Sequence, residues 1–401
     1  MQRSAERFNR SQLLIVLLLG VLSALGPFSI DMYLPAFPSI AKGLDTTTDA
    51  VQLSLAAYFI GISAGQLFYG PITDRFGRKK PLYVGMIIYI IAALGCAVAA
   101  TIDQLIFFRL LQALGGCAGM VVSRAVVRDL FKPHESAKVF SMLMLVMGVA
   151  PIIAPTIGGF VSATWGWRMI FVVLTAISSI TFLALARFLP ESKTADKSIS
   201  LNIGSIGKSY YNLLLEPKFI FYAMCGAFAS AGMFAYISSS SFIYMELFGY
   251  SEKAFGVIFS LNAGGLILCS QLNRIFLKRS TMLTLLRNSC IALMVMGIII
   301  LFCAIGNADE LLLSILIFVF VSILGFIYPN STALALAETG NKTGTASALM
   351  GALQMFISFL ASVAVSMLFN DTILPAAIVM SMSGVMAVFT LLYRNKLPVV
   401  R

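Results

Sequence analysis

Charge is what this 401-residue chain has least of. Asp, Glu, Lys and Arg make up only 11% of it, with 17 acids against 28 bases and a single histidine. Together with 59% hydrophobic residues and a mean hydropathy of +0.93, that scarcity excludes a soluble globular domain, whose apolar share is nearer ~45–50%. Cysteine is sparse too. Cys96, Cys117, Cys225, Cys269, Cys290 and Cys303 all fall in apolar runs without metal-type spacing, so small buried residues are expected, with no metal site and no disulfide framework. No G-x-x-x-x-G-K-[ST] run occurs, and no long polar domain could hold a nucleotide, so neither an ATPase nor another enzyme is expected. His134, in Lys132-Pro-His-Glu135, reads as a solvated loop residue.

What the chain has is apolar runs of about twenty residues, each enough to cross a ~30 Å hydrocarbon layer. Twelve spans are predicted: 11–42, 50–71, 81–100, 103–130, 136–163, 167–189, 219–247, 254–277, 282–304, 310–333, 344–369 and 373–393. The longest polar stretch, 191–216, divides them into six and six, which suggests an all-α membrane protein of two six-helix bundles, 1–190 and 217–401, joined by a cytoplasmic linker.

Orientation follows the basic residues in the short loops. All but four of the 28 Lys and Arg, including Arg3, Arg7, Arg10, Arg75, Arg78, Lys79, Lys80, Arg274, Lys278 and Arg279, lie on the face that carries the N-terminus. Lys42, Arg168 and Lys253 lie on the other, and Arg109 on neither. Both termini are therefore expected in the cytoplasm. The net charge of +11 needs no nucleic acid partner, since topology and anionic lipid account for basic loops. No small-residue cleavage site follows Arg10, so the first span is read as uncleaved.

Two charges fall deep in spans: Asp31, in Ser29-Ile-Asp-Met-Tyr-Leu-Pro-Ala-Phe-Pro38, and Arg109, in Leu105-Ile-Phe-Phe-Arg-Leu-Leu-Gln112. An ionised Asp or Arg at a helix centre costs roughly 2.5–3.5 kcal/mol on translocon scales, so each must be neutralised, wetted or used. Proton carriage is the expected use of Asp31. Arg109, which cannot release a proton near neutral pH, is expected to act by its charge; placed near Asp31 in a wet cavity it would favour the carboxylate, and a structural clamp is the alternative.

Between spans two and three the sequence reads Gly70-Pro-Ile-Thr-Asp-Arg-Phe-Gly-Arg-Lys-Lys80. Gly70 allows close helix approach, Gly77 a turn costly to other residues, and Asp74 can accept backbone N–H groups at a helix start across the bundle interface. A weaker echo, Asn273-Arg-Ile-Phe-Leu-Lys-Arg279, follows span eight without the acid and glycine. Here the chain resembles the major facilitator superfamily, whose signature loop is G-x-x-x-D-R-x-G-R-K/R. The resemblance implies the major facilitator fold. It also implies that Arg78 meets Asp129 in Val127-Arg-Asp-Leu-Phe131, the group Gly70, Asp74, Arg75, Gly77, Arg78 and Asp129 forming a latch for the outward-facing state. Span four is similar to the family's buried arginine followed by a glutamine, with Ala113 where glycine is usual and Gly115, Gly116 and Gly119 beyond it.

Asp31 ahead of Tyr33-Leu-Pro35 narrows the likeness to drug:proton antiporters of the bicyclomycin-resistance (Bcr/CflA) type, and Trp165-Gly-Trp-Arg-Met-Ile-Phe171, Leu189-Pro-Glu-Ser192, Tyr328-Pro-Asn330 and Gly344-Thr-Ala-Ser347 extend it over nearly the whole chain. Span five carries a reduced antiporter motif in which Pro151, Pro155, Gly158 and Gly159 form an interface hinge, with Ala150 and Ala154 replacing glycines. Tyr33, Tyr58, Gln66, Tyr236 and Gln354 are candidates for the substrate pocket. Arg124 and Arg128 are expected to snorkel, and Glu246 and Glu338 to be wet at helix ends.

The expectation is a monomeric, multi-pass exporter in a bacterial inner membrane. It works without cofactor on a proton gradient, exchanging protons for small hydrophobic molecules, neutral or zwitterionic by preference. A carrier of an endogenous metabolite such as an amino acid or sugar is the alternative, and a transport-dead sensor a remoter one.

Overall fold

In the first membrane crossing the helix stops where the sequence forbids it to continue. The computed structural model describes residues 10–196, 202–337, 339 and 343–394; Arg3, Arg7 and Glu338 lie outside the described residues. Twelve helical segments are long and apolar enough to span a membrane. The first is interrupted: α1 (Arg10–Asp31) ends at Asp31, a 3-10 turn covers Leu34–Ala36, and α2 (Phe37–Gly43) completes the crossing. This corrects the continuous helix expected over 11–42. Pro35 lacks an N–H, and a proline ring clashes with the carbonyl four residues before it, here that of Asp31; Pro38 repeats the effect at Leu34.

The rest of the first half comprises α3 (Thr48–Phe76), α4 (Lys79–Val98), α5 (Ile102–Leu130), α6 (Pro133–Trp165) and α7 (Arg168–Phe188). His134 falls in the first turn of α6 rather than in a loop. The segment expected as a polar linker contains an unforeseen helix, α8 (Ile203–Leu214), because Ile206, Tyr210 and Leu213 recur at helical spacing and pack on the core. Tyr210 donates its hydroxyl proton to the Leu67 carbonyl at 2.8 Å, and burial pushes its pKa up to about 12. Then follow α9 (Pro217–Ser241), continued by a π turn at Phe242–Leu247, α10 (Glu252–Phe276), α11 (Met282–Ile305), α12 (Glu310–Leu336), α13 (Thr343–Met367) and α14 (Leu374–Arg394). Spans one and seven thus both lose regular helix in the same part of the crossing.

Helices of the first half pack on one another, α5 against α3 and α4, α1 against α6, α4 against α7; those of the second half do likewise, α9 against α13 and α14, α10 and α11 against α12. Two pairs dominate the contact between the halves, α3 with α13 and α6 with α10. These are spans two with eleven and five with eight, which map onto each other when the halves are exchanged.

Small residues set the tightest approaches. A Cβ added at Gly115 would lie 2.5 Å from both the Gly85 carbonyl and the Tyr89 nitrogen, so α4 and α5 touch backbone to backbone. Ala113 is accommodated because it faces Gly61 on α3. All six cysteines are free, with the Cys225 and Cys290 sulfurs 3.2 Å apart between α9 and α11.

On the side remote from Arg10 and Arg394 the halves are sealed together. Thr48 donates to Glu246 at 2.7 Å, the Ser366 hydroxyl to the Asp49 carbonyl at 3.0 Å, and deeper in Ser63 donates to the Ala352 carbonyl at 2.9 Å. Phe59 and Phe234 bring their rings to 4.5 Å across the same seam. Glu246 is exposed as expected for a helix end, but it is engaged across the interface.

Candidate functional site

The break after Asp31 puts this carboxylate at the C-terminal end of α1, within the first membrane crossing. Asp31 is 4% exposed, and its carboxylate makes no hydrogen bond or ion pair among the described residues. Within electrostatic reach lie Tyr58 from its own bundle and Tyr236 from the other. Gly158 on α6 is pressed against the carbonyl of Met32, immediately after the break, and Gly159 faces the Glu252 carbonyl of α10 across the interface. α6 runs unbroken through Pro151 and Pro155, and Ser260 of α10 donates to the Ile152 carbonyl at 2.5 Å. Gly158 and Gly159 therefore line the break and the bundle seam.

Arg109 is housed differently from expectation. It is fully buried, with its guanidinium carbon 4.3 Å from the Tyr58 ring centre, 4.6 Å from Tyr33 and 5.9 Å from Phe171, and it donates to Gln112 at 2.7 Å. Nε and Nη2 have no hydrogen-bond partner among the described residues. Arg109 thus sits in a buried aromatic cage rather than lining an open cavity with Asp31. Desolvated cation–π contacts contribute about 2 kcal/mol, so three rings and an amide offset the roughly 2.5–3.5 kcal/mol cost of the buried charge without any acid.

Within the cage Tyr33 is 0% exposed, and its hydroxyl is bonded to Ser54 at 2.6 Å. Gln66 packs against Gly351 in the α3–α13 seam, and the Gln354 amide faces Gly226 within the second bundle. Of the five candidates, Tyr33 follows Asp31 by two residues, and Tyr58 and Tyr236 lie within its electrostatic reach. Sequence reasoning missed Asn262, whose Nδ2 donates to the Tyr236 hydroxyl oxygen at 2.6 Å. A polar amide inside span eight was the available signal.

At the opposite end of α3, Arg78 Nε donates to Asp129 at 2.8 Å, and Nη1 to Asp74 at 3.0 Å and Thr73 at 3.2 Å. Burial works against its charge, but the hydrogen bond and field of Asp129, joined by those of Asp74, hold the Arg78 pKa above the usual guanidinium value. Arg75 lies over Phe76, 5.8 Å from the ring centre. Asp74 does not cap a helix across the interface: Lys193 takes it at 2.7 Å, together with Arg78. Gly70, expected at a close approach, has nothing within 4 Å of where a Cβ would sit.

Three residues just after span six complete this cluster and were not foreseen. Glu191 accepts from the backbone N–H of Arg78 at 2.7 Å and of Lys79 at 3.2 Å, capping α4, which begins with three bases and no cap of its own. Ser192 donates to Asp129 at 3.1 Å. Gly77, at φ +83°, is where this segment crosses; a Cβ there would stand 3.1 Å from both the Glu191 carboxylate and the Lys193 carbonyl. The weaker echo keeps an amide version, with Asn330 Nδ2 donating to Asn273 Oδ1 at 2.7 Å. Arg124 and Arg128 are exposed.

The sequence profile of the Major Facilitator Superfamily matches residues 17–363. The chain belongs to this superfamily. A Bacillus subtilis (strain 168) protein described as an uncharacterized MFS-type transporter, YdgK, is 36% identical over 88% of this chain and 89% of that one. A Haemophilus influenzae protein named bicyclomycin resistance protein homolog is 30% identical over 96% of this chain and 98% of that one. The xylose transporter XylE from E. coli, in a partially occluded inward open conformation, shares the fold at a TM-score of 0.75 and 13% identity, over 96% of this chain and 97% of that one. This superfamily member is accordingly a multi-pass membrane transporter of small molecules with antibiotic-resistance homologues, not an enzyme.

Two expected results follow for the transporter's basic turn. Gly70→Val should leave folding unchanged, because the space is open here. It should slow turnover if the other state closes α3 onto its neighbour, as transport rates beside thermal-shift curves will show. Lys193→Met should release Asp74. Since that pair is more than a third exposed, the state described here should lose population by at most about fivefold, the ~1 kcal/mol ceiling for such pairs, read as distance distributions between spin labels on α3 and α13.

Proposed function

We propose that this transporter is a proton-coupled exporter of small hydrophobic compounds, neutral or zwitterionic by preference, in the bacterial inner membrane, working as a monomer with both chain ends in the cytoplasm. The observation that carries the reading is Asp31: one buried carboxylate within a membrane crossing, at a helix break beside the bundle seam, with no hydrogen bond or ion pair among the described residues. Such a group is tolerated when protonated and becomes costly when ionised unless water or a donor reaches it. Alternating access supplies both environments in turn. The 30% identity to a bicyclomycin resistance protein homolog supports drug export; under the proposed topology, the sealed side is the external one and the state faces the cytoplasm.

Arg109 acts in this scheme as a fixed charge, held by its cage behind Tyr58. The basic turn acts as a latch whose acid, Asp74, is occupied by Lys193 in the inward-facing state and freed for the outward-facing one. One acid implies about one proton per cycle, so exchange against a neutral solute moves charge and exchange against a monovalent cation moves none.

The test is export from proteoliposomes under an imposed potential, with bicyclomycin and chloramphenicol as neutral probes and ethidium as the cation. Voltage should drive the neutral probes and leave ethidium unaffected. Export of none of them, with release of amino acids or sugars from intact cells, would favour the metabolite reading.

A further inference from the structure

Across the bundle seam from Asp31, two buried tyrosine hydroxyls, Tyr236 and Tyr244, have no acceptor among the described residues. Asn262 Nδ2 donates to the Tyr236 hydroxyl oxygen at 2.6 Å. A phenol has a single proton, and an oxygen that accepts from an amide keeps that proton for another acceptor. Among the described residues the Tyr236 hydroxyl donates to nothing. Its ring is held in plane by stacking on Phe259 at 6.0 Å, and Tyr236 and Asn262 are 2% and 3% exposed. Among the described residues the Asp31 carboxylate accepts from nothing, and it lies within electrostatic reach of the same tyrosine. α9, which carries this unspent donor, packs against the Leu34–Ala36 turn that follows the unspent acceptor Asp31.

We propose that Tyr236, aimed by Asn262, is the second-bundle partner of Asp31, donating its hydroxyl proton to the ionised carboxylate and releasing it once Asp31 is protonated. This rests on the reading of Asp31 as the coupling acid. A neutral carboxyl is a far weaker acceptor than a carboxylate, so the contact between bundles exists in one protonation state and fades in the other. Proton arrival in the first bundle is thereby converted into loss of a contact with the second. Asn262 is a positioning residue, since it touches Tyr236 and not the acid. The titratable groups around the pair are Tyr58 from α3 and Tyr244 from the π turn; Arg109 on α5 lies behind Tyr58.

The experiment uses the full chain in proteoliposomes with chloramphenicol as the probe, reading the pH midpoint of probe-induced proton release, ΔpH-driven accumulation, and KM in energy-independent counterflow. Tyr236→Phe keeps the ring and removes the donor; Asn262→Leu removes the aim, and Asn262→Gln is the conservative rescue. Loss of a donor to the ionised form moves the midpoint upward, and about one pH unit, a tenfold change in proton affinity, is expected for both Tyr236→Phe and Asn262→Leu. Accumulation should fall, counterflow KM should stay within about twofold, and Asn262→Gln should return the midpoint toward wild type. A raised KM with an unmoved midpoint would make Tyr236 a pocket wall and overturn the proposal. If Asp31→Asn remains coupled, the underlying reading fails; if Asp31→Asn uncouples while Tyr236→Phe leaves the midpoint in place, this inference alone fails.

Discussion

Replacing Asp31 with asparagine is expected to bring steady-state accumulation of a neutral probe in energised vesicles down from roughly 300-fold to equilibrium, because one charge moved through ~150 mV supplies about 3.5 kcal/mol and nothing remains to couple it. The loss should be confined to accumulation. Asn keeps the size of the protonated acid and cannot ionise, so counterflow, which needs only the rocking of the two bundles, should continue. Folding should be unaffected, since the carboxylate contributes no hydrogen bond or ion pair to the described structure. Equal accumulation by Asp31→Asn and wild type would remove Asp31 from coupling, and misfolding would show that it has a structural partner.

The second large effect is structural. Gly115→Val is expected to destabilise the first bundle by about 3 kcal/mol or more, at or beyond the upper end for overpacking. The new Cβ would meet the backbone of Gly85 and Tyr89 at 2.5 Å, and backbone cannot rotate away as a side chain can. α4 and α5 would have to separate, and Tyr89, whose hydroxyl is bonded to Ser29 at 2.6 Å two residues before Asp31, would move with them. Size-exclusion profiles and thermal-shift curves will check this, with Gly70→Ala as the matched control that should read as wild type, since that position faces open space.

What was legible in the sequence was what short-range pattern encodes. Twelve crossings follow from hydropathy, and the meeting of Arg78 with Asp129 at 2.8 Å was implied by the resemblance of the basic turn to the superfamily's signature loop. The break after Asp31 was legible in principle, since Pro35 stands four residues on, but the apolar run continues through it and hides the interruption. The surroundings of Arg109 were not legible. Its cage comes from three different crossings, Tyr33, Tyr58 and Phe171, and no local spacing brings those rings together. Glu191 and Lys193 were missed for the same reason, more than a hundred residues from the turn they hold. Asn262 was overlooked because one amide in an apolar span carries no motif, although its burial is costly unless a partner is found.

Counting the protons released when substrate binds is the most direct test of the claim that Asp31 is the group exchanged. In lightly buffered solution with a pH dye, purified wild-type transporter given chloramphenicol should release about one proton per molecule, and Asp31→Asn none. Release by Asp31→Asn equal to that of wild type would place the titrating group elsewhere and contradict the account.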